Sequence, residues 1–262
     1  MFVINRRYFI TALGGGALGL MAGNPLIKFV AAAGKNNGIQ AVAFDAFPVF
    51  DPRSVFVRVK TLFPERGDAL AKLWFTKIFG YTWLRTLGNR YKTFPEIIGD
   101  ALLFSAASLK CDLTAEKKKQ LTDAWRELDV WEDVKPALRH LRQNNIRLGF
   151  LSNMTEDMLR VNAARAEIED LFDFYLSTDY VRKFKPAPEA YNMGMKAFGM
   201  PKENIAFAAF AGWDAAGADW FGYPTIWVNR LNQRAENLGK QSFETGRDMS
   251  SLLRFVGLSE NK

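Results

Sequence analysis

The sequence predicts an α/β fold with a parallel, doubly wound sheet and a helical insertion after the first strand. Short apolar runs typical of buried strands lie at residues 39–44, 146–151, 174–177, 205–211 and 225–228. Segments with a helical pattern separate the last four runs, and strands that alternate with helices form parallel sheets. We therefore predict the fold from the order of these runs along the chain.

A long helical stretch interrupts the alternation after the first strand. Between residues 54 and 138 no comparable β-rich run occurs. Helical patterns lie instead at residues 68–87, 94–109 and 114–128. We therefore predict a core formed by residues 34–53 and 136–262, with a helical cap formed by residues 54–135.

The first 33 residues have the pattern of an export signal. Arg6 and Arg7 precede an apolar stretch at residues 10–22, which is too short and too rich in glycine for a stable membrane span. Ala31-Ala32-Ala33 offers an A-x-A cleavage site. The segment resembles a bacterial twin-arginine signal, so we expect export by the twin-arginine machinery and a periplasmic protein. An uncleaved membrane anchor is the alternative.

The charge and the rare residue types exclude several classes of function. The net charge of +7 falls to +4 without residues 1–33, so no nucleic-acid partner is expected. The chain has one histidine, His140, and one cysteine, Cys111, which excludes zinc sites built from several such ligands. His140 lies in a basic amphipathic pattern typical of a surface helix. Catalysis is therefore expected to depend on carboxylates, lysine or hydroxyl groups.

Polar residues follow the predicted strands at their carboxyl ends. Asp45 ends the first run, Ser152 and Asn153 end the second, Lys185 lies in the loop after the third and Asp214 follows the fourth. In a parallel doubly wound sheet these ends share one edge, where ligands bind. A carboxylate there is a candidate nucleophile, a lysine keeps it ionised, and a second carboxylate orients or deprotonates water.

These segments resemble the haloacid dehalogenase superfamily, specifically its 2-haloacid dehalogenase (type II) branch. The matching segments are Phe44-Asp45-Ala46-Phe47, Tyr81-Thr82-Trp83-Leu84-Arg85, Leu151-Ser152-Asn153, Lys185-Pro186, Tyr191, Trp213-Asp214-Ala215, Gly222-Tyr223-Pro224-Thr225 and Asn229-Arg230. The resemblance implies a Rossmann-like core with a helical cap. It also implies hydrolysis of a small-molecule substrate, a 2-halo organic acid, without a metal or another cofactor.

The resemblance also implies a role for each strand-end residue. Asp45 would attack the halogen-bearing carbon and form an ester, and Asp214 with Lys185 would help water to open that ester. Ser152 and Asn153 would hold the substrate carboxylate.

Further side chains are expected to line the substrate site, namely Tyr191, Phe47, Phe75 and Trp213. The segment Tyr81-Thr82-Trp83 is expected to pack the cap against the core or to form a homodimer contact, as in many relatives.

Several positions differ from the dehalogenase pattern. Phe75 follows Trp74 where the pattern has an arginine that meets the halide and the carboxylate, and Ala209 and Ala211 replace polar residues. The segment after the first aspartate is one residue shorter and lacks a glycine-threonine pair. Lys77 and Arg85 are candidates to replace the missing cation, although both are also typical of a solvated cap surface. The predicted pocket is therefore more apolar than in the pattern.

Three functions follow from these observations. The first is a hydrolase with an aspartate nucleophile and an altered pocket, and the second is a catalytically impaired periplasmic binding protein that keeps the fold. The third is a magnesium-dependent phosphatase. Phe47 and Ala218 stand where such phosphatases carry acids, so the site lacks oxygen ligands that a hard cation needs. The sequence therefore favours the first function and predicts no metal site.

Overall fold

A computed structural model of the chain describes residues 38–259. Its centre is a six-stranded sheet with the order β5-β4-β1-β6-β7-β8, in which every neighbouring pair is parallel. The strands are β1 (Ala41–Phe44), β2 (Phe50–Asp51), β3 (Asp129–Val130), β4 (Arg147–Ser152), β5 (Phe174–Ser177), β6 (Ile205–Ala209), β7 (Thr225–Val228) and β8 (Glu244–Gly246). The predicted α/β fold with a parallel sheet is confirmed.

Helices cover the sheet and form the insertion. They are α1 (Arg53–Leu62), α2 (Gly67–Leu87), α3 (Phe94–Ser108), α4 (Ala115–Asp123), α5 (Val134–Gln143), α6 (Glu156–Arg165), α7 (Pro188–Phe198), α8 (Gly212–Phe221) and α9 (Met249–Phe255). Helices α1–α4 lie between β2 and β3 along the chain, and all their residues except Arg53 fall within the segment 54–135 that the sequence predicts to be the cap. Strands β1, β6 and β7 are buried along their whole length, as expected of parallel strands covered on both faces.

The structure contains elements that the sequence patterns did not predict. Strand β8 adds a sixth strand at one edge of the sheet, and its largely exposed residues carry no hydrophobic side chain. Strands β2 and β3 form a two-residue antiparallel pair, which is too short for a periodic pattern. Helices α1 and α9 were also not predicted as separate elements. The predicted helix at 114–128 ends at Asp123 and continues as a 3₁₀ turn that buries Trp125.

The export signal predicted for residues 1–33 lies outside the described residues. Within residues 38–259, no helix combines the length and the apolar character that crossing a membrane requires.

Candidate active site

The site is centred on Lys185, whose ammonium group joins two carboxylates. Its Nζ donates hydrogen bonds to Asp45 Oδ1 at 2.8 Å and to Asp214 Oδ2 at 2.6 Å. The lysine side chain is 1% exposed, and both carboxylates are buried. The structure thus brings together three residues that are far apart in the sequence.

Strand register explains why these residues meet. Phe44, the last residue of β1, is paired with Phe150 of β4 and Ala208 of β6, so the three strands end at the same edge of the sheet. The backbone N–H of Asp45 extends this pattern by donating to the Ala208 carbonyl at 3.0 Å. Asp214 lies in the first turn of α8, directly after β6.

Charge interactions overcome the cost of burying Lys185. Burial acts to lower the pKa of Lys185, but the charges of Asp214 and Asp45 and their hydrogen bonds outweigh it, so the pKa is raised. The lysine is therefore a permanent cation between the two carboxylates. With both carboxylates ionised, the three groups carry a net charge of −1.

Asp214 is the titratable member of the site. Burial raises the pKa of Asp214 to about 6, although Lys185 acts to lower it. Tyr191 on α7 donates to Asp214 Oδ1 at 2.7 Å, and burial raises the pKa of the tyrosine well above its usual value. The phenol therefore stays protonated and remains a donor. A carboxylate that titrates near neutrality beside a buried lysine is suited to accept a proton from water.

The Ser152–Asn153 pair lies at the end of β4 and faces the same cavity. Asn153 Oδ1 accepts a hydrogen bond from the backbone N–H of Lys185 at 3.0 Å, which ties the lysine loop to β4. Asn153 Nδ2 is buried and has no hydrogen-bond partner. Ser152 Oγ accepts from the backbone N–H of Met154 at 3.2 Å, which leaves its proton free to donate. These are neutral donors available to a ligand.

A small apolar cavity adjoins the two carboxylates. The space open to the centres of water molecules is about 20 Å³, which holds one or two waters. The cavity is lined by Asp45, Phe47, Phe75, Phe79, Phe94, Ser152, Asn153, Met154, Phe210, Ala211, Trp213 and Asp214. A ligand larger than this space requires the surrounding rings to move.

Most of the predicted site residues meet at this cavity. Phe47, Phe75 and Trp213 line it, whereas Tyr191 lies behind Asp214 and contacts the carboxylate instead of the cavity. Phe94 and Met154 were not predicted as lining residues. Met154 could have been predicted from the sequence, because it directly follows the Ser152–Asn153 pair. Phe94 could not, because only the packing of α3 brings it to the cavity.

Neither cation proposed to replace the missing arginine lines the cavity. Lys77 Nζ lies over the ring of Phe104, 4.5 Å from its centroid. Arg85 forms an ion pair with Asp100 at 3.2 Å. Both side chains therefore contact other residues of the helical insertion and not the cavity.

Two further residues hold the loop after Asp45. Trp131 Nε1 donates to the Phe47 carbonyl at 3.0 Å, and Arg230 donates to the Pro48 carbonyl at 2.8 Å. The Arg230 guanidinium also stacks on Trp131, 5.0 Å from the ring centroid. These contacts fix the backbone that orients Asp45 and Phe47.

Comparison with known proteins assigns the family. A sequence profile described as haloacid dehalogenase-like hydrolase matches residues 7–218. The chain belongs to this family. The (S)-2-haloacid dehalogenase of Pseudomonas sp. (strain YL) is 37% identical over 203 residues, covering 77% of this chain and 88% of the relative. Haloacetate dehalogenase H-2 of Moraxella sp. (strain B) is 32% identical, covering 84% of this chain and 99% of the relative.

Solved structures of this family have the same fold. An L-2-haloacid dehalogenase with 40% sequence identity superposes with a TM-score of 0.81, covering 83% of this chain and 98% of the other. The L-2-haloacid dehalogenase of Xanthobacter autotrophicus with covalently bound chloropropionic acid has a TM-score of 0.77 at 27% identity. That alignment covers 83% of this chain and 98% of the other.

Among residues 38–259, no group of three or more histidine, cysteine, aspartate or glutamate side chains is placed to hold a metal ion.

Proposed function

We propose that this family member is a hydrolase that breaks the carbon–halogen bond of small 2-halo carboxylic acids or their derivatives. The observation that carries the proposal is the contact of Lys185 Nζ with both Asp45 and Asp214. The positive charge of Lys185 lies 2.8 Å from the Asp45 carboxylate, and an ionised carboxylate is the form that acts as a nucleophile.

The proposed reaction has two steps. A carboxylate oxygen of Asp45 attacks the halogen-bearing carbon, an ester forms, and the halide leaves with the bonding electrons. Water then attacks the ester carbonyl of Asp45 and gives up a proton to Asp214, which releases a 2-hydroxy product and restores the aspartate. The covalent chloropropionic acid in the structure of the Xanthobacter relative supports this route.

A single turnover in water labelled with heavy oxygen tests the covalent step. Because water attacks the carbonyl carbon of the ester, we expect the label in the peptide that contains Asp45, detected by mass spectrometry after digestion. The Asp45→Asn variant is the control and acquires no label under the same conditions. Turnover that leaves the Asp45 peptide unlabelled rules out the ester.

One observation favours the second candidate, an impaired binding protein. The cavity beside Asp45 is about 20 Å³ and mostly lined by aromatic rings, so a substrate enters only if those rings move. If no halide is released from any 2-halo acid, ester or amide, the impaired protein is the correct assignment. Release of phosphate that depends on magnesium would instead support the phosphatase.

A further inference from the structure

The cation of the site, Lys185, is bound to two carboxylates of the protein itself. Lys185 Nζ has three N–H donors, and two of them bind the carboxylates of Asp45 and Asp214. The Nζ atom also lies over the ring of Phe207, 5.2 Å from its centroid. Lys185 is also not among the residues that line the cavity.

The residues that line the cavity do not compensate the charge of a negative ligand. Within the described chain, the residues that line the cavity include no arginine or lysine. An anionic ligand would therefore enter a buried space that already carries a net charge of −1 when both carboxylates are ionised. Burying an uncompensated charge is costly, and like charges at short range in a medium of low dielectric constant repel strongly.

The free hydrogen-bond donors that face the cavity are neutral. Asn153 Nδ2 is buried without a partner, and the Ser152 hydroxyl lies beside it at the end of β4. Such an amide and hydroxyl donate to a carbonyl oxygen without needing a charge on the ligand. Filling an unsatisfied buried donor stabilises the complex, because the donor otherwise bears its full desolvation cost.

We propose that the substrate is a small neutral 2-halo carbonyl compound, a 2-halo carboxamide, and not the corresponding carboxylate. This rests on the proposed dehalogenase function. Asn153 holds the carbonyl oxygen, and the rings of Phe47 and Phe75, which line the cavity, surround the halogen. Asp45 displaces the halide, and water opens the ester to give a neutral 2-hydroxy amide, with its proton passing to Asp214.

Halide release from a matched pair of substrates tests this preference. At pH 8, 2-chloropropionamide and 2-chloropropionate have nearly the same volume and differ mainly in charge. We expect kcat/KM for the amide to exceed that for the acid by at least about tenfold, the factor expected when one charge-assisted bond lacks its partner. A kcat/KM that is equal for the two compounds or greater for the acid overturns the proposal.

Two variants at one position separate charge from volume. Phe75→Arg adds a cation to the cavity wall, and we expect it to shift the amide-to-acid ratio of kcat/KM towards the acid by about tenfold or more. Phe75→Met, which opens the same space without a charge, leaves the ratio near that of the wild type. Equal ratios in the two variants would show that the cavity does not discriminate by charge.

A binding measurement keeps this proposal distinct from the dehalogenase function. Propionamide and propionate lack the halogen, and Trp213 in the cavity wall reports their binding by fluorescence. If propionamide binds but no substrate releases halide, the preference for an uncharged ligand is supported and the dehalogenase function is rejected. If halide is released preferentially from the acid, the dehalogenase function is supported and the preference for an uncharged ligand is rejected. If neither probe binds and neither substrate reacts, both proposals are wrong.

Discussion

At the scale of single residues, Tyr191 and Lys185 control the protonation of Asp214. Burial raises the pKa of Asp214 to about 6, and the Lys185 charge and the Tyr191 hydrogen bond limit that rise. Asp214 accepts a proton from water only when ionised, so the proposed hydrolysis slows as the pH falls through about 6. The acid limb of the kcat profile is therefore a direct readout of this carboxylate.

Tyr191→Phe is expected to move that acid limb to higher pH. The variant removes a donor to ionised Asp214, so the pKa of the carboxyl rises further. The measurement is kcat for halide release between pH 5 and pH 9. Tyr175→Phe removes a buried hydroxyl that bonds the Glu169 carbonyl away from the site, and it leaves the limb in place. An unshifted limb in Tyr191→Phe would show that Asp214 does not set the profile.

Lys185→Met is expected to destabilise the protein by about 3–5 kcal/mol at pH 8, because two buried carboxylates lose their shared cation. The loss shrinks as the pH falls, since without the lysine the pKa of Asp214 rises further and that carboxyl becomes neutral. Urea unfolding at pH 5 and pH 8 measures both effects. The same substitution at exposed Lys72 is the control, with little change at either pH. Equal losses at both pH values would contradict the electrostatic cause.

At the scale of elements, the close approach of α8 to the lysine loop and α7 sets the site geometry. Gly217 on α8 allows this approach, because a Cβ there would lie 2.5 Å from Tyr191 Oη and 2.7 Å from Pro186 Cβ. The same tyrosine hydroxyl contacts Asp214. A larger residue at this position therefore disturbs the packing and the carboxylate together.

Gly217→Ala is expected to cost about 1–3 kcal/mol of stability, since the added methyl group overpacks a buried contact. Gly80→Ala is a matched control within α2, where a Cβ meets no atom within 4 Å. That change is expected to stabilise the helix by about 0.5–1 kcal/mol. Thermal and urea unfolding of both variants test the pair. Similar effects of the two substitutions would argue against a close contact at α8.

At the scale of the whole molecule, we propose that residues 1–33 direct export of the folded chain by the twin-arginine machinery. Fusing these residues to a folded fluorescent protein is expected to send it to the bacterial periplasm, as measured by cell fractionation. Replacing Arg6 and Arg7 with lysine keeps the charge and is expected to abolish export. Export of the lysine variant would show that another route operates.

The sequence allowed the α/β fold to be predicted because strand and helix patterns are local. Runs such as Thr225–Val228 match a strand of the structure residue for residue. Strand β8 was missed because its three residues carry no hydrophobic side chain and are held by backbone pairing to Val228 and its neighbours. Helix α4 ends earlier than predicted because the chain tightens into a 3₁₀ turn that buries Trp125.

The order of the strands in the sequence was sufficient to predict which polar residues meet. In a parallel sheet the carboxyl ends of neighbouring strands share an edge, so Asp45, Asn153 and Asp214 follow from strand order. The ion pairs and hydrogen bonds of these residues could not be predicted in this way, because they depend on burial and on contacts between distant segments. The three-dimensional structure supplies them. It directs Lys185 to two carboxylates, keeps Lys77 on the cap surface and leaves the Asn153 amide free to donate.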